Sequence, residues 1–236
     1  MEDVREIQWT GRTGPFPLLL TPEVFAPSKT SAVVAEALEI EPGDTVIDVG
    51  CGTGVLSFVA ARLGAAHVFG SDINEPSIAL ATENARRLGL ADRTEFRAGS
   101  LFGPLRDVEA DVVIGDVSGI PDEVAEVTGW FPGGYAGGAT GAEVPVAMLE
   151  SMGSCLKPGG RLYLPTATIQ DESSVLAAAR KIFRKVEPLM EREFPLPALV
   201  AKSKAIAKLM SDGLLNLRRR GSRMLWRLAI WRCVRE

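Results

Sequence analysis

The run TVIDVGCGTG at residues 45–54 constrains this chain more than any other segment. Its first half, TVIDV, is short, apolar and rich in β-branched residues, the pattern of a strand buried on both faces of a parallel sheet. Glycines then occupy alternate positions, Gly50, Gly52 and Gly54, and the apolar stretch VLSFVAARL reads as a helix over 55–63. Glycine lets a backbone turn tightly and approach a ligand closely. The helix behind it presents unpaired N–H groups and a partial positive charge. The spacing Gly50-x-Gly52-x-Gly54 differs from the G-x-G-x-x-G of dinucleotide sites, where that helix end meets a pyrophosphate. It suits a carboxylate at the helix end, with Asp48 at the strand tip placed for a cationic ammonium. A second acid, Asp72, ends the next strand-like run, where a carboxylate can accept hydrogen bonds from both hydroxyls of a ribose. Nicotinamide enzymes share that second acid. A glycine-rich turn without a ligand is the bland alternative, and the joint occurrence of the glycines and two acids weighs against it.

The rest of the chain alternates. Ser28 or Thr30 can cap a helix through SAVVAEALEI. Strands are expected at 66–71, 94–98 and 111–115, and in RLYLPT after a turn at Lys157–Gly160. Two more are expected at 186–193 and in the closing run MLWRLAIWRCV. Helices are expected at about 55–63, 76–88, 144–155 and 173–183. Such alternation predicts the α/β class, with right-handed crossovers and a mostly parallel, doubly wound sheet. Residues 1–28, rich in proline and glycine, read as an extended lead-in. Residues 129–142, GWFPGGYAGGATGA, read as a mobile loop, and 198–220 as a helical insertion with Leu199, Ile206, Leu209 and Met210 on one face. The length of 236 residues fits a single domain over 1–236.

Composition narrows the chemistry. The single histidine, His67, excludes a His-based triad or a multi-histidine metal site, and no metal is expected. His67 reads as a strand-start residue, with a general base as the alternative. Cys51, Cys155 and Cys233 fit no disulfide or metal spacing, which suggests a reducing, cytoplasmic setting. No leader is evident, and no apolar run approaches a membrane span, so no membrane partner is expected. From Arg180 onward, 15 Lys/Arg face 5 Asp/Glu in a chain of net charge −4. A solvated helix face is one reading; a contact for an acidic substrate or an RNA phosphate backbone is the other.

VIDVGCGTG resembles the first motif of class I S-adenosylmethionine-dependent methyltransferases, LKPGGRLYL resembles their fifth strand and its preceding turn, and the spacing to Asp72 matches. The resemblance covers about residues 22–195 and the closing strand. It implies a Rossmann-like sheet of seven strands, with the last strand, near Leu225–Val234, antiparallel. It implies S-adenosylmethionine as cofactor, with Gly50, Gly52 and Gly54 around the methionine moiety, Asp72 on the ribose and Ile73 on the adenine. Cys51, Ser100 and Leu101 complete the cofactor set; Ser100 stands where an Asp often contacts the adenine amino group. TPEVFAPSKTSAVVAEAL and GGATGAEV look like segments of release-factor glutamine methyltransferases. Those enzymes carry N-P-P-Y after the fourth strand, where this chain reads Gly115-Asp116-Val117-Ser118-Gly119, without prolines or a following aromatic.

Asp116 is therefore the candidate catalytic residue, orienting the acceptor or taking its proton. The alternative is a turn capped with Ser118. Trp130 and Tyr135 are candidate substrate contacts on a lid, or else part of a surface loop. The lost N-P-P-Y points first to a small-molecule acceptor methylated at oxygen or nitrogen. The basic C-terminal third and the release-factor resemblance point to a protein or RNA acceptor instead. A non-catalytic cofactor-binding protein and a nicotinamide oxidoreductase are the remaining readings. Oligomeric state is left open.

Overall fold

A computed structural model describes residues 4–129 and 135–236. The chain opens with a hairpin of β1 (Arg5–Trp9) and β2 (Phe16–Leu20), followed by α1 (Lys29–Ala37). The alternating body runs β3 (Thr45–Val49), α2 (Val55–Leu63), β4 (His67–Asp72), α3 (Glu75–Arg87), β5 (Thr94–Ala98), β6 (Ala110–Ile114) and α4 (Asp122–Thr128). It continues with α5 (Glu143–Ser151), β7 (Leu156–Ala167), α6 (Glu172–Ile182) and β8 (Lys185–Pro195). Two short helices, α7 (Ala198–Ala201) and α8 (Lys204–Ser211), precede β9 (Arg218–Arg220) and the closing β10 (Arg223–Val234).

The main sheet has the order β5-β4-β3-β6-β7-β10-β8, with β9 paired to the start of β10. β3, β4, β5, β6 and β7 are parallel. β10 runs antiparallel to both neighbours, so it enters the sheet reversed, between β7 and β8. This is the expected α/β sheet, with its last strand antiparallel. The carboxyl ends of the parallel strands and the amino end of β10 consequently lie at one edge, where an open α/β sheet places its ligands.

Buried side chains fill both faces. Val46, Phe58, Val59, Val112, Ile114 and Ile230 form one layer with α1 and α2; Ile47, Val113, Met148, Leu162 and Phe183 form the other with α5 and α6. Burying one such side chain contributes roughly 1.5–3 kcal/mol, which makes the β-branched strand runs self-selecting as core.

Four expectations change. The lead-in is folded: β1 and β2 pair in register and send Trp9, Phe16 and Leu18 into the first layer, with Phe16 edge-on to Phe58 at 6.5 Å. α4 occupies a stretch for which no element was expected; Pro121 precedes its start and Gly129, at φ +64°, stops it. Lys157–Gly160 are part of β7 rather than a turn before it, as an irregularity where the register with β6 shifts. The 198–220 insertion is helical only to Ser211 and ends as a strand, because Arg218–Arg220 find open backbone groups at the start of β10. α8 buries Ile206 and Leu209 of the expected face, whereas Met210 of the same helix and Leu199 of α7 are exposed.

Candidate functional site

The glycine turn lies between β3 and α2. Gly50, Gly52 and Gly54 all have positive φ, at +73°, +52° and +83°. Gly54 is the N-cap of α2, and a Cβ there would stand 2.6 Å from the Phe58 ring, so both conformation and space exclude a side chain. The turn is tied to its neighbour strand. Gly50 and Cys51 donate their amides to the Ser71 carbonyl at 2.8 and 3.0 Å, and Gly52 donates to the Asp72 carboxylate at 2.9 Å. The Asn74 amide donates to the other Asp72 oxygen, also at 2.9 Å. Burial raises the Asp72 pKa, against those two amides.

Asp48 is the penultimate residue of β3, just before the turn. It is buried, and Ser57 of the first α2 turn donates to it at 2.6 Å. Burial pushes its pKa up to about 7; the Ser57 hydrogen bond opposes this, and the nearby Asp116 and Asp72 add to it. Cys51 is buried, and its thiol is pushed well up by burial and by Asp48 and Asp72. Across the turn, Leu101 adopts a left-handed φ of +51°, unusual for a branched residue, while its carbonyl accepts from the Ser71 hydroxyl at 2.7 Å. Ile73 is 55% exposed at the lip.

A capping box sets the opposite wall. Ser28 accepts from the Thr30 and Ser31 amides at 3.1 and 3.3 Å, and the Ser31 hydroxyl reaches the Ser28 amide at 3.4 Å. Such a cap contributes about 1 kcal/mol, and here it also aims Ser31 across the site. Ser31 Oγ donates to Asp116 Oδ2 at 3.3 Å. Asp116 follows β6, half-buried, with its pKa pushed up to about 6 by burial and pulled back by Ser31. The Ser118 hydroxyl is buried with no hydrogen-bond partner, so the alternative of an Asp116–Ser118 cap is not formed.

Most of these residues border one cleft of about 900 Å³ at the carboxyl edge of the sheet; Gly54, expected to contact the cofactor, is not among its lining residues and shapes the turn from behind, as do Ser57 and Phe58. Asp48, Asp72, Ile73, Ser100 and Leu101 line one end. The other end is apolar and aromatic, bordered by Pro165, Ala167, Phe194, Trp226 and Leu228. Phe194 and Trp226 meet there with ring centroids 5.0 Å apart and planes tilted by 36°, with the Lys29 ammonium 5.9 Å above Phe194. Asp116 and Ser118 also border the cleft. Tyr135 borders the cleft and is 48% exposed, while Trp130 lies outside the described residues. The following segment is not the free loop expected: Gly137 donates to the Ile120 carbonyl at 2.8 Å, and Asp171 to that of Thr140 at 3.0 Å. His67, exposed at the start of β4, is not among the cleft's lining residues.

Sequence reasoning missed Ser31, Gln170, Phe194 and Trp226. The Ser28–Ser31 spacing before an apolar run was a signal for the first. The last two come together only because β8 and β10 pair. Gln170 is buried, its amide nitrogen lacks a partner, and it is wedged against Gly119, where a Cβ would stand 2.5 Å from its side-chain oxygen.

A reversed strand between β7 and β8, a glycine turn after β3 and acids at the tips of β3 and β4 define the fold and ligand-binding edge of class I S-adenosylmethionine-dependent methyltransferases. A family model described as a methyltransferase domain matches residues 40–212, and the chain belongs to that family. It is 30% identical over 164 residues to a release factor glutamine methyltransferase of Moorella thermoacetica, covering 65% of this chain and 58% of that protein. It is 32% identical over 159 residues to a ribosomal protein L11 methyltransferase of Photorhabdus laumondii, covering 67% and 44%. The chain thus spans about half the length of these curated relatives. Among solved structures, a T. thermophilus 16S rRNA methyltransferase in complex with AdoMet and guanosine shares the fold at a TM-score of 0.65 and 16% identity, over 99% of this chain and 51% of that one.

Proposed function

We propose that this chain transfers the methyl group of S-adenosylmethionine to a nitrogen or oxygen of a macromolecular acceptor, a protein or an RNA. The observation that carries the chemistry is the continuity of the cleft, which joins the glycine turn to Asp116 and an aromatic-lined end. Both curated relatives described above are named for protein substrates, which supports a macromolecular acceptor over a small one.

In this reading Gly50, Cys51 and Gly52, with Gly54 behind them, surround the methionine moiety, its carboxylate toward the amide end of α2 and its ammonium toward Asp48. Asp72 takes the ribose hydroxyls. Ile73 and Leu101 flank the adenine, and Ser100 faces its amino group. The acceptor enters from the aromatic end, and Tyr135 covers it. S-adenosylmethionine held at the glycine turn would supply its methyl group to the acceptor's lone pair, with S-adenosylhomocysteine as the leaving group. The sulfonium is already an activated leaving group, so the protein mainly positions the nucleophile. Asp116 accepts the proton that the acceptor loses. Residues 1–236 act as one domain, and free, buried cysteines are consistent with a cytoplasmic setting.

A small-molecule acceptor is the second reading, favoured by the apolar walls at Phe194, Trp226 and Leu228. Labelled-methyl transfer into a cell extract, fractionated by size, separates the two. Label in a large fraction that is sensitive to protease or ribonuclease supports the proposal; label only in the small fraction overturns it.

A further inference from the structure

The hairpin that joins β9 to β10 reads Arg218-Arg219-Arg220-Gly221-Ser222-Arg223. All four arginines are exposed. Arg220 and Arg223 are direct cross-strand partners, with Met224 opposite Arg219. Like charges placed opposite each other across a ladder destabilise it. The register therefore sets two arginines directly opposite each other at a cost to the hairpin, and both border a second hollow of about 350 Å³ with Glu193 and Leu225. Glu193 does not neutralise the pair, because it is bound to Arg218 at 2.7 Å. Among the described residues no ion pair is found for Arg219, Arg220 or Arg223, nor for Lys202 and Lys204 in the neighbouring helical insertion. Residues 198–223 carry seven Lys/Arg and one acidic residue, in a chain whose net charge is −4.

The position matters as much as the charge. β10 is reversed, so its amino end, which carries this hairpin, lies at the carboxyl edge of the parallel strands. Trp226, three residues beyond Arg223, already borders the cleft. At about 3.3 Å per strand residue the arginines stand about 10 Å from that wall. Other arginines of the C-terminal third are consumed inside the fold. Arg227 binds Glu172 and Glu191 at 2.6 Å each, and Arg232 binds Glu39 at 2.7 Å.

We propose that the Arg218–Arg223 hairpin is an RNA-docking surface that grips the phosphates flanking an acceptor seated in the cleft. This rests on the methyl-transfer reading above and deepens it by choosing RNA over protein. Arginine suits the role because its planar fork meets phosphate oxygens with paired, charge-assisted hydrogen bonds. Phosphates set between Arg220 and Arg223 would also relieve their mutual repulsion.

The test is fluorescence anisotropy of a labelled, mixed-sequence single-stranded RNA across a salt series, with S-adenosylhomocysteine binding measured on the same preparations. The wild-type chain should bind the RNA with affinity falling steeply as salt rises. The R219A/R220A/R223A variant should flatten the log–log salt slope by about 2 and weaken binding about tenfold or more near 0.1 M salt. An R219K/R220K/R223K variant should recover much of the affinity, and Arg220→Thr should raise the melting temperature. S-adenosylhomocysteine affinity should stay within about twofold in every variant, since none of these residues touches the cleft's cofactor end. An unchanged salt slope in the triple alanine variant, with S-adenosylhomocysteine still bound, overturns the docking surface alone. Equal competition by polyglutamate overturns it in favour of an acidic peptide. Failure of the wild-type chain to bind S-adenosylhomocysteine overturns the methyl-transfer reading instead.

Discussion

The amide of Gly52 donates to the carboxylate of Asp72 at 2.9 Å, so the glycine turn after β3 is held by the acid at the tip of β4. The two features are 20 residues apart in sequence. A residue that orients the turn is thus also the one proposed to receive the ribose, and loss of either should disturb both.

Gly54→Ala tests the turn. Its φ of +83° and the Phe58 ring 2.6 Å from the added Cβ combine backbone strain with overlap. The expected loss is about 3 kcal/mol of stability in urea denaturation, together with most S-adenosylhomocysteine binding. Gly89→Ala is the control: φ is +67°, but nothing lies within 4 Å of the added atom. It should cost about 1 kcal/mol and leave binding intact. Equal losses in the two variants would remove the argument from Phe58.

Asp48 should make cofactor affinity depend on pH. Its pKa is pushed up to about 7, and only its ionised form attracts the methionine ammonium. Calorimetric affinity for S-adenosylhomocysteine should therefore rise as pH increases from 6 to 8 and then level off. Stability without ligand should run the other way: the folded state holds a proton that the unfolded state has released, so stability falls as pH rises from about 4 to 7. Asp48→Asn should flatten both curves. A wild-type affinity that is flat with pH would count against the ammonium contact.

Asp116→Asn keeps the shape of the residue and removes the proton acceptor. Turnover should fall about 10²–10⁴-fold, while S-adenosylhomocysteine affinity changes little. In the wild-type enzyme kcat should rise with pH through about 6, as the carboxylate ionises, and that limb should vanish in the variant. Near-normal turnover would reduce Asp116 to a wall residue.

Gln170 sits buried with an unpartnered amide nitrogen beside the cleft. Gln170→Leu should leave stability unchanged or raise it by about 1 kcal/mol, because an unmet polar group is removed. KM for the acceptor should rise, with S-adenosylhomocysteine affinity unaltered. A destabilised protein with a normal acceptor KM would show that the side chain serves packing alone.

Legibility in the sequence followed the range of the interactions. Helix α2, strand β5 and the acids Asp48 and Asp72 were readable because periodicity, β-branching and glycine spacing act over a few residues. Helix α4 was not, since DEVAEVT is short and its apolar positions Val124 and Ala125 gain meaning only from packing under β7 and α8. The lead-in was misread for a related reason: prolines and glycines mark its turns, but its core residue Phe16 finds Phe58 of α2, more than 40 residues away, and Trp9 packs on Phe16.

The sequence alone determined the parallel sheet, the glycine turn at Gly50–Gly54 and the family, because these rest on local backbone preferences and on residue types at fixed short spacings. Tertiary structure decided what lies opposite that turn. It brought Ser31 to Asp116, set Phe194 against Trp226 and placed Arg220 and Arg223 at the edge of the sheet that also carries the cleft. Each of these depends on strands pairing across long stretches of chain, above all on β10 entering reversed between β7 and β8. No short window of sequence encodes that pairing, because its free energy comes from surfaces that exist only once the rest of the sheet has formed.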